Sequence, residues 1–347
     1  MLSFRHHRLR DHALPMSTAW LLNDIAESKG RQELFAQQTP QRLQALREMA
    51  LIQSAESSNR IEGVTVAAER LRPLVLGNTR PRDRSEQEVQ GYRRALDEIH
   101  SAHAKLAISP ETLRRLHARC QSASGDAGEF KRVDNDIIQL LPDAPPVLRF
   151  RCVKAKDTPS AVEELCLRYR HALDQEHIPP LLALAALVLD FLCIHPFRDG
   201  NGRVSRLLTL LALYHHGYEA GRYVSFERII EESKEDYYES LHRSSQGWHE
   251  GRHDLTPWMN FLLAVIRRGY TEFEQRAGQV KAPRGAKTGL IVAAIEAQAG
   301  PFSVRDLQRA CPGVSVDMIR QVLKDQRGQR VECLGRGALA QWRKRGN

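Results

Sequence analysis

The residues best equipped for chemistry lie together in His195-Pro-Phe-Arg-Asp-Gly-Asn-Gly-Arg-Val-Ser-Arg206. An apolar, helix-like run leads into this segment and Pro196 stops it, which drives His195 out of the α region and pins its imidazole at a helix end. The Asp199-Gly-Asn-Gly202 stretch permits positive φ angles, so successive N–H groups can turn inward as an anion-binding nest ahead of the next helix. Arg203 and Arg206 fall in or near the first turn of that helix, where the macrodipole disfavours a cation by about 0.3–1 kcal/mol, so something anionic is expected to compensate them. Their i, i+3 spacing sets both guanidiniums on one face, able to fork onto successive phosphates, while Asp199 offers a hard oxygen to Mg²⁺. A general base, a metal ligand and a polyphosphate cradle therefore fall within 12 residues. Taken singly, His195 or Asp199 also fits a core histidine or an N-cap in any helical bundle, but that reading leaves the paired arginines unexplained.

The segment resembles the His-x-Phe-x-Asp/Glu-Gly-Asn-Gly-Arg-x-x-Arg signature of Fic domains at every specified position, and the resemblance extends over roughly residues 105–276. Fic proteins mostly transfer AMP from ATP to a hydroxyl of a target protein. The resemblance implies that His195 deprotonates a Ser, Thr or Tyr of the target and that Asp199 holds Mg²⁺ on the α- and β-phosphates. It also implies that Gly200, Asn201 and Gly202 cradle the phosphates, with Arg203 on the β-phosphate, Arg206 on the γ-phosphate and Phe197 as a core anchor. Tyr237-Tyr238-Glu-Ser-Leu241 is similar to the Tyr-Tyr-x-x-Leu segment that follows the motif near the adenine, with Tyr238 the nucleotide contact; a helix burying its aromatics is the alternative. Gly128–Val153 resembles the family's flap, which would clamp a target segment by strand addition. The Pro-Pro pair common after the flap's second strand is replaced here by Val153-Lys-Ala-Lys156.

Upstream, Ser54-Ala-Glu-Ser-Ser-Asn-Arg-Ile-Glu-Gly63 closes a helix. Gly63 at C′ is an ordinary helix stop, and Glu62 could be a solvated last-turn residue. An acid in the last turn nevertheless opposes the dipole, mirroring the two misplaced arginines. Ser58-x-x-x-Glu62-Gly63 also fits the Ser/Thr-x-x-x-Glu-Gly/Asn inhibitory motif of Fic proteins, in the class that carries it on an N-terminal helix. By that resemblance Glu62 pairs with Arg206 and blocks the γ-phosphate, buttressed by Ser58. The functional expectation is thus an autoinhibited protein adenylyltransferase. Removal of AMP from a modified protein with Glu62 as base, or a nucleotide-sensing DNA-binding regulator, are the alternatives.

The elements that must position these groups are mainly helical. Helical periodicity covers Trp20–Lys29, Pro40–Arg60, Glu86–Ala102, Ser109–Cys120, Ala161–Leu173, Pro180–Ile194, Val204–His215 and Leu255–Phe273. Phe130–Leu141 and Val147–Val153 read as a small hairpin around Leu-Pro-Asp-Ala-Pro-Pro146. The expected organisation is an N-terminal helical region (1–104) with the inhibitory helix at about 40–63, a Fic-type bundle (105–276), a linker (277–287) and a C-terminal winged helix-turn-helix (288–347). That tail carries most of the charge: residues 281–347 hold 13 Lys and Arg against 5 Asp and Glu, +8 of the chain's +9. In such a fold Arg320, Lys324 and Arg327, with Arg330 and Arg336 near the wing, would touch DNA; a protein-docking module is the alternative.

The 347 residues, 42% hydrophobic and 27% charged, exclude a disordered chain. The longest nearly apolar run, Leu181–Ile194, has 14 residues and contains Asp190, short of the roughly 18 a membrane helix needs, so no membrane association is expected. The positively charged start lacks a following apolar stretch, and the six cysteines include no Cys-x-x-Cys pair. Both features favour a cytoplasmic protein with reduced, buried thiols. His215-His216 and His249-x-x-x-His253 read as surface histidines rather than metal ligands. The expected partners are ATP, Mg²⁺, a hydroxyl-bearing target protein and a second copy in a homodimer.

Overall fold

The computed structural model describes residues 2–36, 40–122, 124–141, 144–278, 286–296, 298, 300–311, 314–335 and 340–345. The chain divides into Met1–Ala277 and Gly278–Asn347, each with its own hydrophobic core. Most of the expected linker, residues 279–285, lies outside the described residues.

The first unit is a helical bundle: α1 (Met16–Ala36), α2 (Pro40–Ile61), α3 (Ala68–Val75), α4 (Arg84–Ala102) and α5 (Pro110–Cys120) precede a β-hairpin. After strands β1 (Asp136–Leu141) and β2 (Ala144–Arg151) come α6 (Thr158–Asp174), α7 (Pro180–Ile194), α8 (Asn201–His215), α9 (Phe226–Glu232), α10 (Lys234–Ser245) and α11 (Thr256–Gly278). Local chemistry sets several boundaries. Asp83 and Ser109 cap α4 and α5 by accepting from the N–H groups of Glu86 and Thr112, and prolines open α5 and α7. The N-terminal region shares one core with the rest because α2 packs against both α4 and α9.

The centre of the bundle is α7, apolar on every face and buried along nearly its whole length, paired with α8. Its one charged residue, Asp190, is fully buried and accepts hydrogen bonds from the Ser3 N–H and Oγ (3.2 and 2.6 Å) and from Trp248 Nε1 (2.6 Å). His253 joins this cluster through Ser3 Oγ at 2.9 Å and is only 4% exposed, which corrects its reading as a surface histidine. His215 and His249 are exposed and His216 is half-buried.

The hairpin differs from expectation at both ends. Phe130–Asn135 is not strand, because the Lys131 N–H donates to the Pro196 carbonyl (2.9 Å) rather than to a neighbouring strand. Strand β2 already begins at Ala144 and includes Pro145 and Pro146, where a register shift between Gln139 and Leu141 absorbs residues that have no N–H to give. Residues 142–143 of the turn lie outside the described residues.

The second unit runs α12 (Ala286–Glu296), β3 (Phe302–Ser303), α13 (Val304–Ala310), α14 (Val316–Asp325), β4 (Val331–Cys333) and β5 (Gln341–Lys344), with β5 central in an antiparallel sheet of order β3-β5-β4. Ser303 and Asp306 form a capping box at α13. Ile291, Phe302, Leu307, Ile319, Leu323 and Val331 belong to its core. Arg320, Lys324 and Arg327 are exposed, with Arg320 paired to Asp317 at 3.3 Å; Arg336 lies outside the described residues, as do Pro312 and Gly313 of the expected turn. Five of the six cysteines are buried and Cys333 is half-buried. Among the described residues no helix is long and apolar enough to cross a membrane.

Candidate active site

The site is built where α7 ends and α8 begins. His195 terminates α7 in the left-handed region (φ 52°, ψ 61°), a conformation costly for a residue with a Cβ. Its Nδ1 lies 3.4 Å from the Leu192 carbonyl. A carbonyl can only accept, so Nδ1 carries the proton and Nε2 keeps its lone pair. Burial lowers the His195 pKa to about 4, and the Lys131 ammonium pushes the same way against the Leu192 carbonyl and the Glu62 and Asp199 carboxylates. The imidazole is therefore neutral, and able to accept a proton, throughout the physiological range.

From Phe197 to Gly200 the loop is held by side chains rather than by regular structure. Asn201, 2% exposed, closes a reciprocal pair with Phe197, accepting from its N–H (2.9 Å) and donating to its carbonyl (2.8 Å). Its side chain is thus spent on the loop. Phe197 is fully buried and stacks on His117 at 3.9 Å between centroids. His117 accepts from the Gly128 N–H at Nδ1 (2.9 Å), so its Nε2 donates to the Asp199 carbonyl (3.1 Å). Gly200 is the N-cap of α8 at φ 79°, and a Cβ there would also meet Gln121 Nε2 at 2.9 Å. The Asp199 carboxylate accepts from Gln121 (3.1 Å) and from the Gly200 N–H (2.7 Å), yet its side chain stays 64% exposed.

Each of the two arginines has its own carboxylate. Arg203, almost wholly buried, donates to Glu88 at 2.6 Å and to Asn59 Oδ1 at 3.3 Å, with Asp199 Oδ2 3.6 Å away. Arg206 donates to Glu62 Oε1 (2.7 Å), Ser58 Oγ (2.8 Å) and the Ser58 carbonyl (2.8 Å). Burial opposes the Arg206 charge, but Glu62, Tyr237 and Tyr92 together outweigh it, so its pKa moves up. Glu62 follows the last helical residue of α2 in a Schellman turn: Val64 N–H bonds the Asn59 carbonyl, Gly63 N–H bonds the Arg60 carbonyl, and Gly63 takes φ 80°. Ser57, Ser58 and Asn59 are buried. Higher on α2, Ser54 donates to the buried Glu227 (2.6 Å), which also accepts from Tyr92 (2.9 Å) and so ties α2 to α4 and α9.

Tyr237 is buried on α10 and edge-on to Trp258, whereas Tyr238 is 46% exposed beside it. Burial raises the Tyr238 pKa, with Glu62 adding to it.

The groups present fit a magnesium nucleotide. Arg206 Nη1 is buried without a hydrogen-bond partner and lies 3.2 Å from the position a Cβ would take on Gly202, so a donor is unspent beside the start of α8. Among the described residues no three His, Cys, Asp or Glu side chains are grouped to hold a metal. Asp199 alone suits Mg²⁺, which is usually held by one or two carboxylates together with substrate phosphates.

Glu88, Asn59, Glu227, His117 and Lys131 were not singled out from sequence. Glu88 leaves a trace there, an acid four residues before Tyr92 on the apolar face of α4. Lys131 leaves none, because the contacts that tie it to the site are to the main-chain carbonyls of Ile194 and Pro196, far along the chain.

Residues 107–213 match the Fic/DOC family. A protein adenylyltransferase Fic of Nematostella vectensis is 25% identical over 226 residues, 63% of this chain and 48% of that protein. One from Drosophila virilis is 27% identical over 181 residues, 50% of this chain and 32% of its own length. The chain thus spans half or less of these curated relatives. A Fic family protein from Desulfovibrio desulfuricans superposes with a TM-score of 0.62 at 22% identity, covering 97% of this chain and 98% of that one. Fic-1 of C. elegans (residues 134–508) superposes at 0.57 and 18% identity, over 76% and 75% of the two chains. With its loop between two helices, its hairpin and this fold, the chain carries a Fic/DOC-family domain at residues 107–213.

Proposed function

We propose that the protein transfers AMP from ATP to a Ser, Thr or Tyr hydroxyl of a target protein and is held off by Glu62. The observation that carries this reading is a neutral imidazole with its Nε2 lone pair unspent, at the mouth of a helix N-terminus that also presents Arg206. His195 Nε2 takes the hydroxyl proton as the target oxygen bonds to the α-phosphorus, and the bond from that phosphorus to the bridging oxygen breaks to release pyrophosphate. The backbone of Gly200, Asn201 and Gly202 cradles the phosphates, Arg206 receives the γ-phosphate, Arg203 lies on the side of the β-phosphate, and Tyr238 borders the base. Mg²⁺ held at Asp199 would neutralise phosphate charge and orient the chain of phosphates. Glu62 puts a carboxylate where the γ-phosphate belongs, so ATP seats unproductively until α2 yields.

The test is labelled ATP with the Glu62→Gly protein and a lysate of candidate targets. Transfer of the adenylyl label that His195→Ala abolishes without abolishing ATP binding supports the reading, since removing a base typically costs on the order of 10²–10⁴ in rate. Release of AMP from a modified target by the parent protein would support removal instead. Absence of both would leave nucleotide sensing.

For the second unit we infer binding to nucleic acid through the exposed α14 residues Arg320 and Lys324, with Arg327 just beyond the helix, in a winged helix-turn-helix arrangement. Its +8 charge favours a polyanion through counterion release. Deleting residues 281–347 should abolish salt-sensitive DNA retention and leave AMP transfer intact. Equal retention by both proteins at moderate salt would refute it.

A further inference from the structure

We infer that Lys131 is a positioning residue for His195, acting with Asn135 as a strap that ties the root of the hairpin to the catalytic loop. The inference rests on the reading of His195 as the base. Lys131 is only 5% exposed. Its Nζ donates to the Ile194 carbonyl at 3.2 Å and to Asn135 Oδ1 at 2.8 Å, and its own N–H donates to the Pro196 carbonyl at 2.9 Å. Asn135 Nδ2 in turn donates to the Phe197 carbonyl at 3.1 Å. Three carbonyls of the segment 194–197, those of Ile194, Pro196 and Phe197, are therefore held from one short stretch, on both sides of His195.

Three physical arguments make this more than packing. The C-terminal carbonyls of α7 have no helical partners, and a buried ammonium against them is favoured by the helix dipole. Burying an ammonium with no carboxylate in hydrogen-bond contact is costly, so the site retains it at the expense of stability. His195 adopts a left-handed conformation, which persists only where its surroundings over-determine it, and the strap supplies that constraint. Asn135 directly precedes β1, and Asp136 Oδ1 accepts from the Cys152 N–H just beyond β2 (3.1 Å). The surface that would receive a target strand is thus continuous with the strap, so hairpin and base move as one piece.

The experiment uses the Glu62→Gly form of the whole 347-residue chain with Lys131→Met, Lys131→Arg or Asn135→Ala added. Lys131→Met should lower kcat by about 10–100-fold with the KM for ATP essentially unchanged, the range expected for a misplaced reacting group. Lys131→Arg, which keeps charge and donors, should recover most of that loss. Amide hydrogen exchange in the segment 194–201 should quicken in Lys131→Met and Asn135→Ala while α8 and α11 stay protected. Unchanged kcat, or a loss confined to KM, would overturn the inference. If no variant transfers AMP, the base assignment fails and exchange alone decides: unchanged protection of 194–201 overturns the strap. If Lys131→Met does not fold, Asn135→Ala carries the same readouts.

Discussion

Glu62 Oε1 lies 2.7 Å from Arg206 Nη2 and so close to Gly202 that a Cβ there would overlap it. The carboxylate is therefore an ion-pair partner that also lies against the first turn of α8, the place where a helix offers its positive end to an anion. Two charges that are each unfavourable in their own helix cancel one another: an acid after the C-terminus of α2 and an arginine in the opening turns of α8.

The first expected outcome is non-additivity between these residues. Glu62→Gly should raise AMP transfer, and Glu62→Gln, which keeps length and removes charge, should raise it partly. Arg206→Ala should lower activity, and the double variant Glu62→Gly with Arg206→Ala should stay low, since the released site has no guanidinium to present. Rates of label incorporation into one target check this. Additive effects would show that Glu62 and Arg206 act separately.

The second concerns Gly202→Ala. In a helix, alanine is favoured over glycine by roughly 1 kcal/mol. In the parent protein the new Cβ meets Glu62 and Arg206 Nη1, so the melting temperature should fall. In the Glu62→Gly background the main obstruction is gone, and the same substitution should be neutral or stabilising. Thermal melts of the four proteins decide it, and an equal effect in both backgrounds would contradict the geometry.

How much of this was legible in the sequence follows from the range of the interactions. The loop 195–206 could be read because proline, glycines and charges set its chemistry within a dozen residues. Pro180–Ile194 matches its helix to the residue because Pro179-Pro180 and Pro196 bracket it. Glu62 was legible as an anomaly, a charge opposing its own helix dipole, although its distance to Arg206 was not. Glu88, Glu227 and Lys131 were not legible, since each acts on a group 60 or more residues away. Phe130–Asn135 misled for the same reason: its composition suits a strand, and its hydrogen bonds go to a loop.

The third prediction is a loss of stability in mild acid. Burial holds His100, His195 and His253 at a pKa of about 4, with Arg222, Lys131 and Arg8 respectively adding to the effect. Above about pH 7 each is neutral folded and unfolded, so they contribute no slope. Between the usual imidazole value near 6.5 and about 4 the unfolded chain takes up protons that the folded chain refuses. Stability should therefore fall as pH drops through that window, by up to about 3 kcal/mol per histidine in the linkage relation. Melting temperatures at pH 7.5, 6 and 5 check the slope. His253→Gln should flatten it, and a flat parent profile would show that the histidines are not held neutral by the fold.

The last prediction separates the two arginines. Arg203 and Glu88 have side chains 2% and 5% exposed, so their pair is sealed in the core, whereas Glu62 is 29% exposed against Arg206. Glu88→Gln keeps the shape but leaves a buried guanidinium with Asn59 and a distant Asp199 as its remaining partners, and breaking such a pair costs about 3–5 kcal/mol. Glu62→Gln leaves Arg206 with both Ser58 acceptors, and the loss should be about 1 kcal/mol, as for a single hydrogen bond. The order of stability, read by urea unfolding, should thus be parent, then Glu62→Gln, then Glu88→Gln. The order of activity should not follow it: Glu62→Gln is activated, while Glu88→Gln is no faster than the parent because its loop is less well held. Activation of Glu88→Gln to the level of Glu62→Gln would mean that Glu88, too, is a displaceable plug and that both arginines are gated; a Glu88→Gln protein as stable as the parent would mean that the pair is not sealed as its burial indicates.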